Sequence, residues 1–298
     1  MRGLLAVINP SSTQLAHARC MLCVSDIARS ARFYSSVLDF VEVERGTTPR
    51  ADYCYLVDGE CHLALLHYAS DEMAGVADSS KFIGAHHFGI QVEDLARAQA
   101  ESEAAGARFH FNLGDEQQGN FESKYRDPNR AIFDLSYGGW GGTPTQRVGS
   151  RPGNVPPSGR AGAASLRHVA VAVGEPAKSA AFFMQVFGFR RVGREATQGA
   201  GRIDLSDGHV DLAFIRSPGG EAVLGVNRGA DFTGTHHVGF SVSDIASFEA
   251  KLQQGGGQVL DRSPDAGAFA ERCYADPDGI VFVASENAWS AAARFGRA

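Results

Sequence analysis

Short apolar runs recur along this chain, and four of them are followed by a segment with the periodicity of an amphipathic helix. The four runs are Cys20–Val24, His87–Val92, His168–Val173 and His237–Val242, and each has the length of a strand. An acidic residue stands at the second position after each run, where a helix N-cap is expected, and an Ala-rich stretch comes next. The pattern therefore predicts four copies of one unit, in which a strand leads through a capped turn into a helix.

The turn after each run repeats almost letter by letter. The four copies are Val24–Arg29, Val92–Arg97, Val173–Lys178 and Val242–Ala246. Because such a unit cannot bury its apolar face alone, the copies are expected to pack together. Their spacing groups them into two tandem pairs, which predicts a duplicated protein with a pocket between paired units.

A longer repeat relates the two halves of the chain at a separation of 149 positions. The matching residues lie near both ends of each half: Val24 and Val173, Phe33 and Phe182, Asp127-Pro128 and Asp276-Pro277, Trp140 and Trp289. The separation is one residue larger around His86-His87 and His236-His237, as a single insertion in a loop would make it. The chain is therefore interpreted as an internal duplication.

The duplication predicts two domains joined by a linker. The expected segments are an N-terminal extension over 1–15, a first domain over 16–140, a linker over 141–165 and a second domain over 166–290. The linker is rich in Gly, Pro, Ser and Arg and has no apolar period, which is typical of an exposed connection. At 298 residues, the chain is long enough for each domain to bury a core of its own.

Charge and hydropathy narrow the choice of partners. The net charge is −6 and the two signs are interspersed, which argues against nucleic acid as a partner. The apolar stretch Leu4–Ile8 ends at Asn9-Pro10 and is too short to span a membrane. We therefore expect a cytoplasmic protein that binds a small-molecule substrate, without nucleic acid or membrane; the sequence leaves a homo-oligomer open.

The five cysteines favour a reducing compartment. Their number is odd, and four of them lie in apolar strand-like runs, so a disulfide framework is not expected. Cys20 and Cys23 have the spacing of a C-x-x-C motif. On a strand they point to opposite faces, and no second pair exists, so a structural role is favoured over zinc or redox chemistry.

Two kinds of motif carry a family resemblance: the strand opening His87–Asp94, and the turns Asp127–Asn129 and Asp276–Gly279 before a final apolar strand. On these motifs, each half resembles a vicinal oxygen chelate domain, the superfamily of glyoxalases, bleomycin-resistance proteins and extradiol dioxygenases. The resemblance covers roughly residues 16–140 and 165–290. It implies an α+β fold in which tandem, duplicated βαβββ modules form half-open barrels, with metal ligands pointing inward. One such scaffold hosts several chemistries, so the reaction is less well specified than the fold.

The superfamily places inward ligands on the first, fourth, fifth and eighth strands of a domain. The resemblance puts these positions at Arg19, Leu65, His87 and Asp134 in the first half, and at His168, Phe214, His237 and Val283 in the second. Neither half alone supplies two histidines and a carboxylate. Pairing of modules across the halves, as the family allows, implies a metal site made of His87, Asp134 and His168. The other pocket would then keep only His237 and stay metal-free, with one metal per chain.

Several candidate residues have structural interpretations as well. A histidine that opens an apolar strand is often a hydrogen-bonded core residue, and a structural role of this kind is favoured for His86, His209 and His236. Asp134 is alternatively a strand-end hydrogen-bond acceptor. Tyr125 and His67 are candidate acid–base groups, with a packed aromatic and a solvated strand end as the respective alternatives.

Two imidazoles and one carboxylate leave half of an octahedron open, which suits Fe(II), substrate and dioxygen together. A glyoxalase-type site usually has a further ligand on the fourth strand, where Leu65 and Phe214 cannot coordinate. We therefore expect an Fe(II) dioxygenase of the extradiol type, an oxidoreductase acting on a small aromatic or enediol substrate that chelates the metal. Mn(II), Zn(II) and Ni(II) are the alternative metals. A glyoxalase-like isomerase or lyase, and a non-catalytic protein that binds a drug or metabolite, are the alternative functions.

Overall fold

The computed structural model describes residues 18–70, 82–114, 121–140, 164–192, 201–216, 232–261 and 271–289. The expected extension over 1–15 lies outside the described residues, as do residues 141–163 of the expected linker. The domain boundaries at 16–140 and 166–290 therefore stay a prediction. Among the described helices, none combines the length and the apolar character needed to cross a membrane.

Each half follows the order βαβββ-βαβββ, which confirms the predicted α+β architecture. The elements of the first half are β1 (Ala18–Cys23), α1 (Ile27–Val37), β2 (Val41–Thr47), β3 (Ala51–Val57), β4 (His62–Tyr68), β5 (Gly84–Gln91), α2 (Leu95–Ala104), β6 (Arg108–Leu113), β7 (Glu122–Arg126) and β8 (Ile132–Ser136). Those of the second half are β9 (Ser165–Ala172), α3 (Pro176–Phe187), β10 (Arg190–Val192), β11 (Arg202–Ser206), β12 (Asp211–Ile215), β13 (Gly234–Ser241), α4 (Ile245–Gln254), β14 (Gln258–Asp261), β15 (Arg272–Ala275) and β16 (Val281–Ser285).

The repeated acidic residues explain where the helices begin. The carboxylates of Asp26, Asp94 and Asp244 accept hydrogen bonds from the backbone N–H groups of the residues three positions ahead. These bonds satisfy donors that the first turn of a helix leaves open. Glu175 makes no such bond, and its helix instead begins with Pro176, a residue suited to the first helical position.

The strands form two eight-stranded sheets, one in each half. The order is β2-β3-β4-β1-β5-β8-β7-β6 in the first sheet and β10-β11-β12-β9-β13-β16-β15-β14 in the second. In both, the first strand of the half pairs in parallel with the fourth and antiparallel with the fifth. The two modules of one half therefore share a sheet, and the expectation that modules pair across the halves is wrong.

An aromatic core joins the two halves. Phe133 of β8 packs against three phenylalanines of α3, with ring centres 5.7 Å from Phe182, 5.5 Å from Phe183 and 5.9 Å from Phe187. The contact is reciprocal, because Phe33 of α1 lies 6.4 Å from Phe282 of β16. The first helix of each half thus packs against the sheet of the other, and the halves share one core.

The Asp-Pro turn of each half is hydrogen-bonded to the first helix of the other half. In one direction, Asn129 Nδ2 donates to Glu175 O at 2.9 Å and to Ser179 Oγ at 2.7 Å, and Ser179 Oγ donates to Asp127. In the other direction, the turn at Asp276-Pro277-Asp278 accepts hydrogen bonds from α1 and from Ser25, which precedes it. Tyr34 Oη donates to Asp276 Oδ2 at 3.0 Å. Ser30 Oγ and Ser25 N donate to Asp278 Oδ2 at 3.0 Å and 3.1 Å. The motif that carried the family resemblance is therefore an inter-half contact in this chain. We call this pair of contacts the turn–helix clasp.

Candidate functional site

Each sheet has one apolar face, turned to the shared core, and an opposite face that carries buried polar side chains. We call the concave side of this second face the pocket of that half. In the first half, Arg19 of β1 forms an ion pair with Glu122 of β7, and its guanidinium lies 4.7 Å from the ring centre of Tyr55 on β3. Since β3 and β7 lie on opposite sides of β1 in the strand order, the sheet must curl around Arg19. The first pocket is defined by buried polar residues on this face: Arg19, His62, His87, Glu122, Lys124 and Asp134.

The second sheet is curled as well. Arg202 of β11 approaches Glu271, the residue before β15, with 3.4 Å between Nη2 and Oε1, although these strands lie far apart in the strand order. The two arms of the sheet therefore meet. The second pocket is defined by His168, Arg202, Asp211, His237, Glu271 and Trp289.

A buried ammonium lies at the centre of the first pocket. Lys124 Nζ is 2.8 Å and 2.7 Å from the two carboxylate oxygens of Asp134 and 2.9 Å from His87 Nε2. His87 Nε2 is itself 3.0 Å from Asp134 Oδ2. Burial, and then the positive charge of Lys124, hold the pKa of His87 well below its usual value, so this imidazole is neutral. The pocket is balanced in charge, with Arg19 paired to Glu122 and Lys124 paired to Asp134.

Two imidazoles face each other in the second pocket. The ring centres of His168 and His237 are 5.5 Å apart, and His168 stacks on Trp289 at 5.3 Å with an interplanar angle of 15°. His237 Nδ1 lies 2.8 Å from His236 Nδ1, whereas its Nε2 is buried with no hydrogen-bond partner among the residues that the structure describes. Burial, followed by the charges of His168, His236 and Arg202, lowers the pKa of His237 well below the usual value.

An irregularity in the fifth strand of each half brings its histidines to the pocket. Along β13, Thr235 is opposite Val171, but His237, two residues on, is opposite Ala170, so His236 is an extra residue. Along β5, Ala85 is opposite Leu22 and His87 is opposite Met21, which makes His86 the extra residue there. Such bulges re-aim side chains next to functional sites. The bulge is present in both halves.

The family model of the Glyoxalase/Bleomycin resistance protein/Dioxygenase superfamily matches the chain twice, over residues 15–135 and 165–283. The chain belongs to this superfamily. This is the vicinal oxygen chelate superfamily that the sequence motifs indicated, and the two matches correspond to the two halves. No curated protein sequence is similar enough to the chain to count as a match.

Solved structures of the superfamily share the fold at low sequence identity. The Mn(II)-bound glyoxalase from Novosphingobium aromaticivorans has a TM-score of 0.61 at 15% identity, over 92% of this chain and 83% of that one. The 2,3-dioxygenase LapB from Pseudomonas sp. KL28 has a TM-score of 0.60 at 17% identity, over 89% and 90%. A variant of homoprotocatechuate 2,3-dioxygenase from B. fuscum has a TM-score of 0.61 at 16% identity, over 91% and 70%. Because relatives with different chemistries are equally similar, these comparisons support the fold and not one reaction.

The predicted superfamily ligands His87, Asp134 and His168 are not all brought together. His87 and Asp134 are in contact in the first pocket, whereas His168 lies in the second pocket beside His237. Across the described ranges, no group of three or more His, Cys, Asp or Glu side chains is arranged to hold a metal ion. The physical reason is the strand pairing: since modules pair within a half, the first-strand histidine joins the fifth-strand histidine of its own sheet.

The register also corrects the fourth-strand positions. Leu65 is paired with Leu22 and lies in the apolar core, while His62 is paired with Arg19 and shares its polar face. In the second half, Phe214 is likewise a core residue, and Asp211 is the residue paired with His168. Both Asp211 and His62 were missed, because counting along β4 and β12 without their partners assigned the wrong face.

The two candidate acid–base groups lie away from both pockets. Tyr125 Oη donates to Glu103 of α2 at 2.9 Å, and its ring stacks on Phe133 with centres 6.0 Å apart, so it faces the shared core. His67 Nδ1 donates to Val24 O at 2.9 Å, at the end of β4. The structure therefore gives both residues packing and hydrogen-bonding contacts outside the pockets.

Gly239 leaves the space that the stacked pair in the second pocket needs. A Cβ at this position would lie 2.8 Å from His168 Cβ and 2.8 Å from Trp289 Cη2. We expect Gly239→Ala to lower the free energy of unfolding by about 1–3 kcal/mol through overpacking, as measured by urea denaturation. Gly174→Ala is the control, since the nearest atom there is 3.9 Å away. Equal effects of the two substitutions would contradict this account.

Proposed function

We propose that the second pocket is the centre of a metal-dependent enzyme, an Fe(II) dioxygenase of the extradiol type that acts on a small aromatic or enediol substrate. The observation that carries this proposal is the pair of facing imidazoles, His168 and His237, with Asp211 beside His168 in the strand register. Two histidines and one carboxylate are the ligand set of non-haem Fe(II) oxygenases. The carboxylate comes here from β12, because β16 carries Val283 on its pocket face.

The state of the His237 ring fits a metal ligand. Metal ions bind the neutral imidazole, and the lowered pKa of His237 keeps its ring neutral at physiological pH. Its Nε2 is buried and has no hydrogen-bond partner in the described parts of the chain, whereas Nδ1 is engaged by His236. A ligating histidine is typically fixed in this way through its other nitrogen. His168, Asp211 and His237 would hold the ion after side-chain rotation, since the three side chains do not converge on one point in this structure.

When bound, the divalent ion would supply Lewis acidity toward the vicinal oxygens of the substrate. The surrounding residues bind and orient the substrate. Trp289 holds the plane of His168 by stacking, and the small side chains of Ala170 and Ala213 leave room on the same face. Arg202 lies where the arms of the sheet meet and is paired with Asp204 and Glu271, so its charge is balanced by these carboxylates.

A second candidate is a glyoxalase-like isomerase or lyase in the same pocket. The observation that favours it is Asp211, which occupies the fourth strand of its half, where such enzymes carry an additional ligand. The same ion and the same histidines would be used. The two candidates therefore differ in whether turnover consumes dioxygen.

Metal analysis and oxygen uptake test both candidates. After anaerobic purification and reconstitution with Fe(II), we expect about one tightly bound ion per chain, because among the described residues the second pocket is where histidine rings of two different strands face each other. Oxygen consumption with a panel of catechols is expected for the dioxygenase. Turnover without oxygen uptake would favour the isomerase. A protein that binds no metal under these conditions would contradict both and leave the non-catalytic binding protein.

We further propose a cytoplasmic location. The cysteines Cys20, Cys23, Cys54, Cys61 and Cys273 are all buried and form no disulfide. Burial raises the pKa of the Cys20 and Cys54 thiols to about 12, so neither is a reactive thiolate. Buried, protonated thiols are compatible with a reducing compartment.

A further inference from the structure

The first pocket contains an arrangement that the proposed function does not use. The ammonium of Lys124 is within 3.0 Å of both an imidazole and a carboxylate, being 2.9 Å from His87 and 2.7 Å from Asp134. A second carboxylate, Glu122 Oε2, lies 3.7 Å from the same nitrogen. All four side chains are buried, Asp134 completely so. Glu122 Oε1 is also paired with Arg19 and accepts from Trp140 Nε1 at 2.9 Å. The Lys124 ammonium thus lies among three groups that are ordinary ligands of divalent metals.

The second half lacks both this ammonium and the aspartate that pairs with it. At the separation of 149 positions, Lys124 corresponds to Cys273 and Asp134 to Val283. Both replacements are buried, at 4% and 0% exposure, and together they remove one positive and one negative charge. The lysine and the aspartate therefore differ as a unit between the halves. This is expected if the buried carboxylate is tolerated only beside a cation, because an unpaired buried charge is strongly destabilising.

We propose that the ε-ammonium of Lys124 takes the place of a divalent metal ion in the first pocket. His87, Glu122 and Asp134 are then possible ligands that surround a cation of the chain itself, and they would have to move closer together to bind a metal ion, since they do not form a metal-binding group as they stand. The lysine would make the first pocket metal-free in the native protein, whatever the second pocket binds. It follows that removal of the amine converts the first pocket into a metal site.

The test is a gain of metal binding by Lys124→Met, which removes the charge and keeps most of the aliphatic stem. It is made in a His237→Ala background, so that the second pocket does not contribute ions. We expect Lys124→Met to bind about one Mn(II) per chain after dialysis, where the parent binds none, and Mn(II) to raise its melting temperature by several degrees. Adding Asp134→Val, which reproduces the second-half residue, should abolish the gain.

Two further variants make the outcome decisive. Lys124→Arg keeps a cation in the pocket and is expected to bind no Mn(II). A folded Lys124→Met protein that binds no Mn(II) would overturn the proposal. So would a Lys124→Met protein that cannot be folded with or without Mn(II), because a metal ion should then replace the missing charge. Metal content of the same variant with His237 intact reports on the second pocket separately, so failure of the proposed function is distinguishable.

Discussion

If the second pocket is the proposed metal centre, replacing His237 by alanine is expected to lower the affinity for a divalent ion by at least about 100-fold and to abolish the proposed turnover. Loss of a group that only supports a ligand already costs roughly 10–100-fold, and a direct ligand should cost more. The fold should survive, since His237 makes its contacts at the pocket face and Nε2 contributes no hydrogen bond within the described residues. Isothermal titration with Mn(II) and the melting temperature measure the two effects.

The matched control is His87→Ala, the corresponding change in the first half. It removes a contact of Lys124 and leaves the contact between His168 and His237 in place, so metal affinity should stay within about twofold of the native protein, as expected for independent sites. The opposite result, with metal lost from His87→Ala and kept by His237→Ala, would mean that the predicted site of His87, Asp134 and His168 is correct after all.

Replacing Phe133 by alanine is expected to lower the free energy of unfolding by about 3–5 kcal/mol, the usual cost of truncating a buried aromatic. Phe133 is fully buried and packs against α3 of the other half. The loss should therefore destabilise both halves at once and preserve a single transition. Urea denaturation followed by fluorescence and by circular dichroism tests both statements, because coincident curves indicate one cooperative unit.

Phe109→Ala is the control for that experiment. Phe109 also contacts a core aromatic, with its ring 5.6 Å from Tyr125, but it is 50% exposed. We expect its replacement to cost less than about 1 kcal/mol, because little surface changes its solvation. A small effect at Phe133, or two separate transitions with one confined to the first half, would contradict a shared core.

Local features of the fold could be predicted from the sequence. The carboxylates at Asp26, Asp94 and Asp244 begin three helices, as the repeated turns indicate, because an N-cap acts over only three residues. The separation of 149 positions likewise predicts two sheets of the same topology. Both inferences use information that lies close together in the chain or is duplicated within it.

The composition of the pockets depends on which strands pair over long distances in the sequence, and the predicted pairing of modules across the halves was wrong. No local feature of the sequence distinguishes a module that pairs within its half from one that pairs with the other half. His168 was therefore assigned to the wrong neighbours. The register of β7 and β8 places Lys124 opposite Asp134, and therefore turns Tyr125 to the core. A lysine in an alternating run reads as solvent-facing, and its burial follows only once its partner strand is known. The one sequence signal for it was the joint replacement of Lys124 and Asp134 by Cys273 and Val283 in the other half.

The turn–helix clasp has the character of a two-fold symmetric interface. The turn at Asp127 binds the helix that contains Ser179, and the equivalent turn at Asp276 binds the helix that contains Ser30. In a symmetric dimer, each contact between one patch and another occurs twice in this way. The chain thus resembles two subunits of a homodimer joined into one polypeptide. Each half must remain complementary to the other across the clasp, whereas the pockets, on the opposite faces of the sheets, are free to acquire a lysine in one half and a second histidine in the other.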